Sequence, residues 1–250
     1  MSDLFSAVYS VLFTSYIFLY FILVPLFSVP SSLVLGFRTS FRFYMKTFTR
    51  LAFLIFGISV DVNGRENLPK KGGFVLLANH PSLLDPFIIN TYLPGEISFV
   101  APGTTIFGKH AVLTFRGADL MVKFLGNPLL MSKLIMRLVN RVNGGEPFVL
   151  FPSEGAIPDG SIPHIRKTFY GIFKDINVPI IPVHIQGSVG RGFKMKPVRI
   201  RLSIGMPIAK EIVLAGDEKQ IINVIFSASR RVPSKLPQMP PVHELPIKPS

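Results

Sequence analysis

The sequence contains no cysteine and no tryptophan. Without cysteine there is no disulfide framework, thiolate nucleophile, cysteine-ligated zinc or iron–sulfur cluster, so any chemistry falls to His, Asp, Glu, Ser, Lys or Arg. Acidic residues are scarce: 14 Asp and Glu stand against 27 Lys and Arg, giving a formal charge of +13 and a pI near 10.2. Such an excess calls for an anionic partner, either nucleic acid or an anionic lipid surface. Charge of either sign is sparse, at 16% of residues, whereas 48% are hydrophobic and the mean hydropathy is +0.45. That balance excludes a disordered or fibrous chain, and 250 residues leave room for one or two domains. No nucleic-acid motif accompanies the basic residues, and the hydropathy favours lipid as the partner.

From Leu4 to Phe37 no residue is charged, a run longer than the roughly 20 apolar residues that cross a hydrocarbon core. We expect a retained membrane segment, because Met1-Ser2-Asp3 lacks a positive charge and no small-residue cleavage site follows a short apolar region. Pro25 and Pro30 interrupt the run and leave two readings: one kinked spanning helix ending near Val24, or a helix, a turn and a second helix dipping into one leaflet. Next, Arg38, Arg42, Lys46 and Arg50 recur at helical spacing with Phe37, Phe41, Tyr44, Phe48 and Leu51 between them. This predicts an interfacial helix with a basic and an aromatic face; the plainer alternative is an amphipathic helix packed on its own domain. The positive-inside rule places this end at the cytoplasmic side. Residues 1–57 are read as the anchor and its basic helix.

Beyond Gly57 the texture changes to short apolar runs bounded by Gly, Pro and Asn. Gly73 to Ala78, Ile97 to Ala101, Pro147 to Phe151, Pro179 to Ile185 and Val198 to Ile204 read as strands. Helical stretches fall between them, at Asp85 to Thr91, Asn127 to Val142 and Ile165 to Ile176. The alternation predicts an α/β domain over residues 58–231, with a central mostly parallel or mixed sheet flanked by helices. The tail, 232–250, is crowded with proline and is expected to be extended or disordered.

One segment carries most of the chemical information: Asn79-His80-Pro81-Ser82-Leu83-Leu84-Asp85-Pro86, at the end of the apolar run Phe74 to Ala78 and the start of a predicted helix. In α/β sheets ligands gather at the loops after strand carboxyl ends. A turn of this length can fold Asp85 back under His80, and an imidazole held by a carboxylate is oriented and suited to take a proton from an alcohol. The plainer reading leaves His80 satisfying a buried carbonyl and Asp85 capping a helix. A His and an Asp with no second His nearby are poor zinc ligands, so no metal is expected. Two further segments follow strands. In Val149 to Ala156, Glu154 could accept a hydrogen bond from a substrate hydroxyl and Gly155 permits close backbone approach; Val178-Pro179-Ile180-Ile181-Pro182-Val183 reads as a pocket-wall or edge strand. His110, His164, His184 and His243 have no acid at comparable spacing and receive no role; His184 alternates within a strand as core or pocket wall.

Taken in this order, the HxxxxD segment, the Phe-Pro-Ser-Glu-Gly turn at 151–155 and the Val-Pro-Ile-Ile-Pro-Val strand at 178–183 resemble the glycerolipid acyltransferases, the lysophosphatidic acid acyltransferase family. The resemblance covers about Asn63 to Pro207 and implies that His80 is the general base and Asp85 its orienting acid. It further implies an O-acyltransferase without an acyl-enzyme, in which an acceptor hydroxyl attacks an acyl thioester carried by coenzyme A or acyl carrier protein as co-substrate, with no other cofactor. Gly117 to Lys123 resembles the family's second motif, with Lys123 where Arg is usual. Lys123, Asn79, Glu154 and Gly155 are accordingly expected at the acceptor site. Ser153 is inserted in the third motif, and Ile157 stands where the family commonly has Arg, so Arg166 and Lys167 are the candidate replacements for the phosphate-binding cation, with surface solubility as their plainer role. The implied acceptor is 1-acyl-glycerol-3-phosphate, giving phosphatidic acid; the absent cysteine, compact size and lack of a targeting peptide point to the cytoplasmic face of a bacterial inner membrane as the location. Glycerol 3-phosphate, another lysophospholipid and a lyso-aminolipid stay open as acceptors; so do a hydrolase or transacylase using the same dyad and a non-catalytic lipid-binding scaffold.

Overall fold

The computed structural model describes residues 2–95, 97–99, 138–152, 173–188 and 197–228, together with positions 136, 157, 159, 161, 162, 165 and 170. The uncharged run forms one helix, α1 (Ser2–Leu35), and after Gly36 the basic segment forms α2 (Phe37–Ile55). The break expected at Pro25 and Pro30 does not occur: both prolines lie inside α1. Packing explains this, since side chains on both sides of Pro25 rest on the same neighbour. Tyr20 and Val24 pack with Met45, while Phe27 meets the rings of Tyr44 and Phe48. Three tyrosines register the antiparallel pair by donating to α2 or its C-terminal carbonyl: Tyr9 to Phe56 (2.5 Å), Tyr16 to Phe48 (2.8 Å) and Tyr20 to Met45 (3.4 Å).

The helix pair has two kinds of surface. Met45, Thr49, Ala52 and Phe53 of α2 are buried, and Arg42 donates to the carbonyl of Gly95. Thus α2 is packed on the domain, the plainer of its two readings, while Arg50 is exposed to the surroundings; the side chain of Arg38 lies outside the described residues. On α1 the apolar residues Leu33 and Val34 are 90% and 86% exposed, and α2 leaves Leu54 and Ile55 exposed too. Leu4–Leu35 is long and apolar enough to cross a membrane. So continuous an apolar surface is unusual for a water-exposed helix pair.

Strand residues in the domain alternate between two apolar layers. The sheet comprises β1 (Ile58–Asn63), β2 (Val75–Ala78), β3 (Ser98–Phe99), β4 (Phe148–Leu150), β5 (Ile180–Gln186) and β6 (Val198–Ile204), in the order β1-β6-β5-β2-β4-β3. Every pairing is parallel except β5 with β6, so the sheet is mixed and mostly parallel. Along β2, Leu76 and Ala78 face one layer, with Ile88 and Ile89 of helix α3 (Asp85–Tyr92), Phe53 of α2 and Phe13 of α1. Val75 and Leu77 face the other, with Val142, Phe173 and residues Ile221 and Ile225 of helix α5 (Glu218–Ser227). Helix α4 (Lys210–Leu214) precedes α5 (Glu218–Ser227), which is capped by Asp217 accepting from the N–H groups of Lys219 and Gln220. Residues 138–143 are helical, within the stretch predicted at Asn127 to Val142.

Strand β1 escaped the sequence reading because only alternate residues are apolar and it pairs on a single side, with β6. Its exit turn depends on Gly64 at φ +79°, where a Cβ would lie 2.1 Å from the Ile204 carbonyl oxygen; the same carbonyl accepts from Asn67 Nδ2 at 2.9 Å. Gly64→Ala should therefore cost roughly 2 kcal/mol or more, read as a lower midpoint in thermal unfolding.

Candidate active site

Because β5, β2 and β4 are adjacent and parallel, their carboxyl ends open on one edge of the sheet, the place where open α/β folds bind ligands. The chain leaves β2 through Asn79 and His80, turns over Pro81 and Ser82, and enters α3 at Asp85. Ser82 builds this turn: its carbonyl accepts from the Asp85 N–H at 3.1 Å and its Oγ from the Leu84 N–H at 3.2 Å. The turn brings His80 Nδ1 to 2.9 Å from Asp85 Oδ2, and the Ser82 N–H donates to that same oxygen at 2.8 Å.

Asp85 is fully enclosed. Burial raises its pKa, and hydrogen bonds from His80 and Ser82 oppose the rise by favouring the ionised form. As the first residue of α3 it also sits at the positive end of the helix dipole. With the carboxylate accepting from Nδ1–H, the imidazole presents Nε2 with a free lone pair, and the His80 side chain remains 11% exposed. The geometry is that of an oriented general base.

Residues that follow β4 complete the setting. Phe151 stacks on the His80 ring with centroids 4.2 Å apart and planes 17° from parallel, and the Ile157 N–H donates to the His80 carbonyl at 2.7 Å. Phe151 and Ile157 are thereby fastened to the HxxxxD turn. Neither contact was read from the sequence; the signal for Phe151 was its place as the last apolar residue before the polar turn.

Asn79 has a different task from the substrate contact expected of it. Its side chain is buried and bridges two strands, accepting from the Ile185 N–H at 2.7 Å and donating to the Ile185 carbonyl at 2.9 Å. Both ends of the amide are thus engaged by the main chain of β5. Lys123, Glu154, Gly155, Arg166 and Lys167, expected at the acceptor site, lie outside the described residues, as does the whole of Gly117 to Lys123. Among the described residues no three His, Asp or Glu side chains converge to hold a metal. His184 lies on the sheet face that carries α5, edge-on to Phe226 with centroids 4.6 Å apart. It is core, and burial pushes its pKa down to about 4.

The family model for acyltransferases matches residues 59–186, a range that contains all four motif segments. Among solved structures the chain is similar to the crystal structure of the 1-acyl-sn-glycerophosphate (LPA) acyltransferase PlsC from Thermotoga maritima. The TM-score is 0.72 at 21% sequence identity, covering 94% of this chain and 100% of that one; at this identity the likeness is one of fold. The sequence matches none of the curated proteins.

Removing the strand bridge with Asn79→Ala leaves a buried N–H and a buried carbonyl of Ile185 unpaired, and should cost roughly 2–5 kcal/mol in unfolding experiments. For His184 the unfolded imidazole takes up a proton near its ordinary value of 6.5 while the folded one resists until about 4, so its contribution is lost as pH falls through that window. Asp85, raised by burial, acts in the opposite sense. Comparing wild type with His184→Phe isolates the effect: between pH 6.5 and 4 the variant should lose less stability than the wild type.

Proposed function

This chain belongs to the acyltransferase family, and from that premise we propose that it transfers a fatty acyl group from an acyl thioester to the free hydroxyl of 1-acyl-glycerol-3-phosphate, forming phosphatidic acid. The observation that carries the reading is the His80–Asp85 contact at 2.9 Å, at the carboxyl end of β2 and under the Phe151 ring. The acceptor hydroxyl gives its proton to His80 Nε2 as its oxygen attacks the thioester carbonyl carbon. When the tetrahedral intermediate collapses, the C–S bond breaks, the ester remains and the imidazolium returns the proton to the departing thiolate. Asp85 stabilises the imidazolium in the intervening state and keeps Nε2 aimed at the substrate. No group of the enzyme is acylated.

Similarity to a structure described as an LPA acyltransferase supports this acceptor. Lys123 is assigned to its phosphate, Glu154 and Gly155 to the glycerol side, and Arg166 and Lys167 to the charge that an Arg in place of Ile157 would supply. The donor is acyl-CoA or acyl carrier protein. The apolar α1 keeps the site beside the bilayer that stores the acceptor, and the net charge of +13 draws it to anionic phospholipid. By the positive-inside rule, the basic residues directly after α1 support a cytoplasmic face for the domain, and the membrane of this reading is a bacterial inner membrane. A second reading follows from Ile157: an apolar residue at the position of the family's phosphate-binding Arg favours an acceptor with a different headgroup.

Detergent-solubilised protein incubated with labelled acyl-CoA or acyl carrier protein and a panel of lysophosphatidic acid, glycerol 3-phosphate and other lysophospholipids tests both. The expected product is phosphatidic acid from lysophosphatidic acid, with turnover down about 100-fold or more in His80→Ala, a variant that still folds with a modestly lower thermal midpoint. Acylation of another acceptor in its place selects the second reading, and no acylation by folded wild-type protein that binds liposomes sinks both.

A further inference from the structure

Two enclosed oxygens mark a gap in the hydrogen bonding of the dyad. Asp85 Oδ2 receives both His80 and the Ser82 N–H, whereas Oδ1 is buried with no hydrogen bond of closed geometry. Ser188 is 0% exposed, and its Oγ is likewise buried without a closed hydrogen bond. Its hydroxyl nevertheless acts on Asp85 in the sense of a donor, favouring the carboxylate over the acid. An ionised carboxylate with a bare oxygen in an apolar enclosure is costly, and so is an unpaired buried hydroxyl; one contact relieves both.

The backbone is built to deliver that hydroxyl. Asn79, the residue before His80, clamps Ile185, three residues before Ser188. The chain then turns at Gly187, whose φ of +82° suits glycine and where a Cβ would lie 2.4 Å from the Arg199 carbonyl oxygen. Thus the end of β5 is fixed to the end of β2 immediately beside the dyad, and a residue with a side chain cannot replace the glycine without displacing β6.

We infer that Ser188 is a positioning residue of the dyad, whose hydroxyl donates to Asp85 Oδ1 while Oδ2 holds the His80 imidazole. The second donor holds the carboxylate plane and stabilises the charge on Asp85, so the dyad resists the inactivating proton and the His80 ring is kept oriented and neutral as the base. The inference rests on the acyl-transfer reading for its effect on turnover, not for its effect on the dyad. Among the described residues, His80 is the charged or titratable side chain acting on this carboxylate. The ionisable groups that α2 brings against α3 lie at its other end, Arg42 on the Gly95 carbonyl and Arg50 beside Tyr92, and His184 faces the opposite layer from Val183 and Ile185.

The test is Ser188→Ala, with Ser188→Thr as the variant that keeps the hydroxyl, measured as the pH dependence of kcat/KM and, without substrate, as the NMR titration of the labelled His80 ring in detergent. Loss of a hydrogen bond to a charged group predicts kcat lower by about 10- to 100-fold in Ser188→Ala, with KM nearly unchanged. Without the donor the carboxylate binds a proton more readily, so the dyad takes up its inactivating proton at higher pH. Both the acid limb and the ring titration should move up by about half a unit or more, and Ser188→Thr should restore them. An unmoved ring titration in folded Ser188→Ala overturns the proposal even if turnover falls, because a packing role would lower activity without shifting it. Should Ser188→Ala not fold, Ser188→Cys, a weaker donor of similar size, must show the same upward shift or the proposal fails. If wild type transfers no acyl group and the titration still moves, the acyl-transfer reading falls and the role of Ser188 stands.

Discussion

Asp85 carries a carboxylate with no access to water, and such a group stays ionised only with donors held against it. That requirement reaches far into the molecule. The Ser82 turn must present its N–H to one oxygen, and His80 must lie over the same atom. The first turn of α3 must start at Asp85, and the helix is pinned there because Ile88 and Ile89 are buried in the layer shared with β2, β5 and β6. Phe151 covers the imidazole from the neighbouring strand. An arrangement of this kind strengthens the electrostatics of the pair by excluding water while leaving Nε2 open.

The same helix links the dyad to the apolar hairpin. Phe87 of α3 meets the Tyr20 ring of α1 edge-on with centroids 5.8 Å apart, and Asn90 reaches Met45 Sδ of α2 at 3.6 Å. Only a few residues separate these contacts from Asp85. The residues of the hairpin that face outward are apolar over most of the length of α1, so the element that supports the dyad is also the one that suits a lipid surrounding. In the proposed reaction, whose acceptor is met in a bilayer, such continuity would hold the base at a fixed position relative to the lipid.

The sequence reading succeeded and failed along a consistent line. Strand β6 was predicted at its observed bounds, Val198 to Ile204, and β2, β4 and β5 within two residues at each end, because apolar runs between Gly, Pro and Asn carry a strong local signal. Proline misled the reading of α1, where contacts with Met45, Tyr44 and Phe48 on both sides of Pro25 outweigh the local penalty. Strand β1 was missed because Ser59, Asp61 and Asn63 alternate with its apolar residues at the edge of the sheet. Helices α4 and α5 lie within the expected domain but were not singled out.

At the site itself the division is between near and distant residues. His80 and Asp85 are five positions apart, near enough for a turn opened by Pro81 and Ser82 to bring them together; that possibility, the sheet class and the long apolar segment were determined by the sequence alone, while the choice between the pairing and a plain helix cap was not. The partner of Asn79 lies 106 residues away, and Phe151 and Ser188 are similarly remote from the residues they touch. No local pattern encodes those contacts. They exist because the order β5-β2-β4 aligns three strand ends that the chain visits at widely separated points, and the choice of neighbours in a sheet comes from burying two apolar layers at once, a property of the assembled tertiary structure.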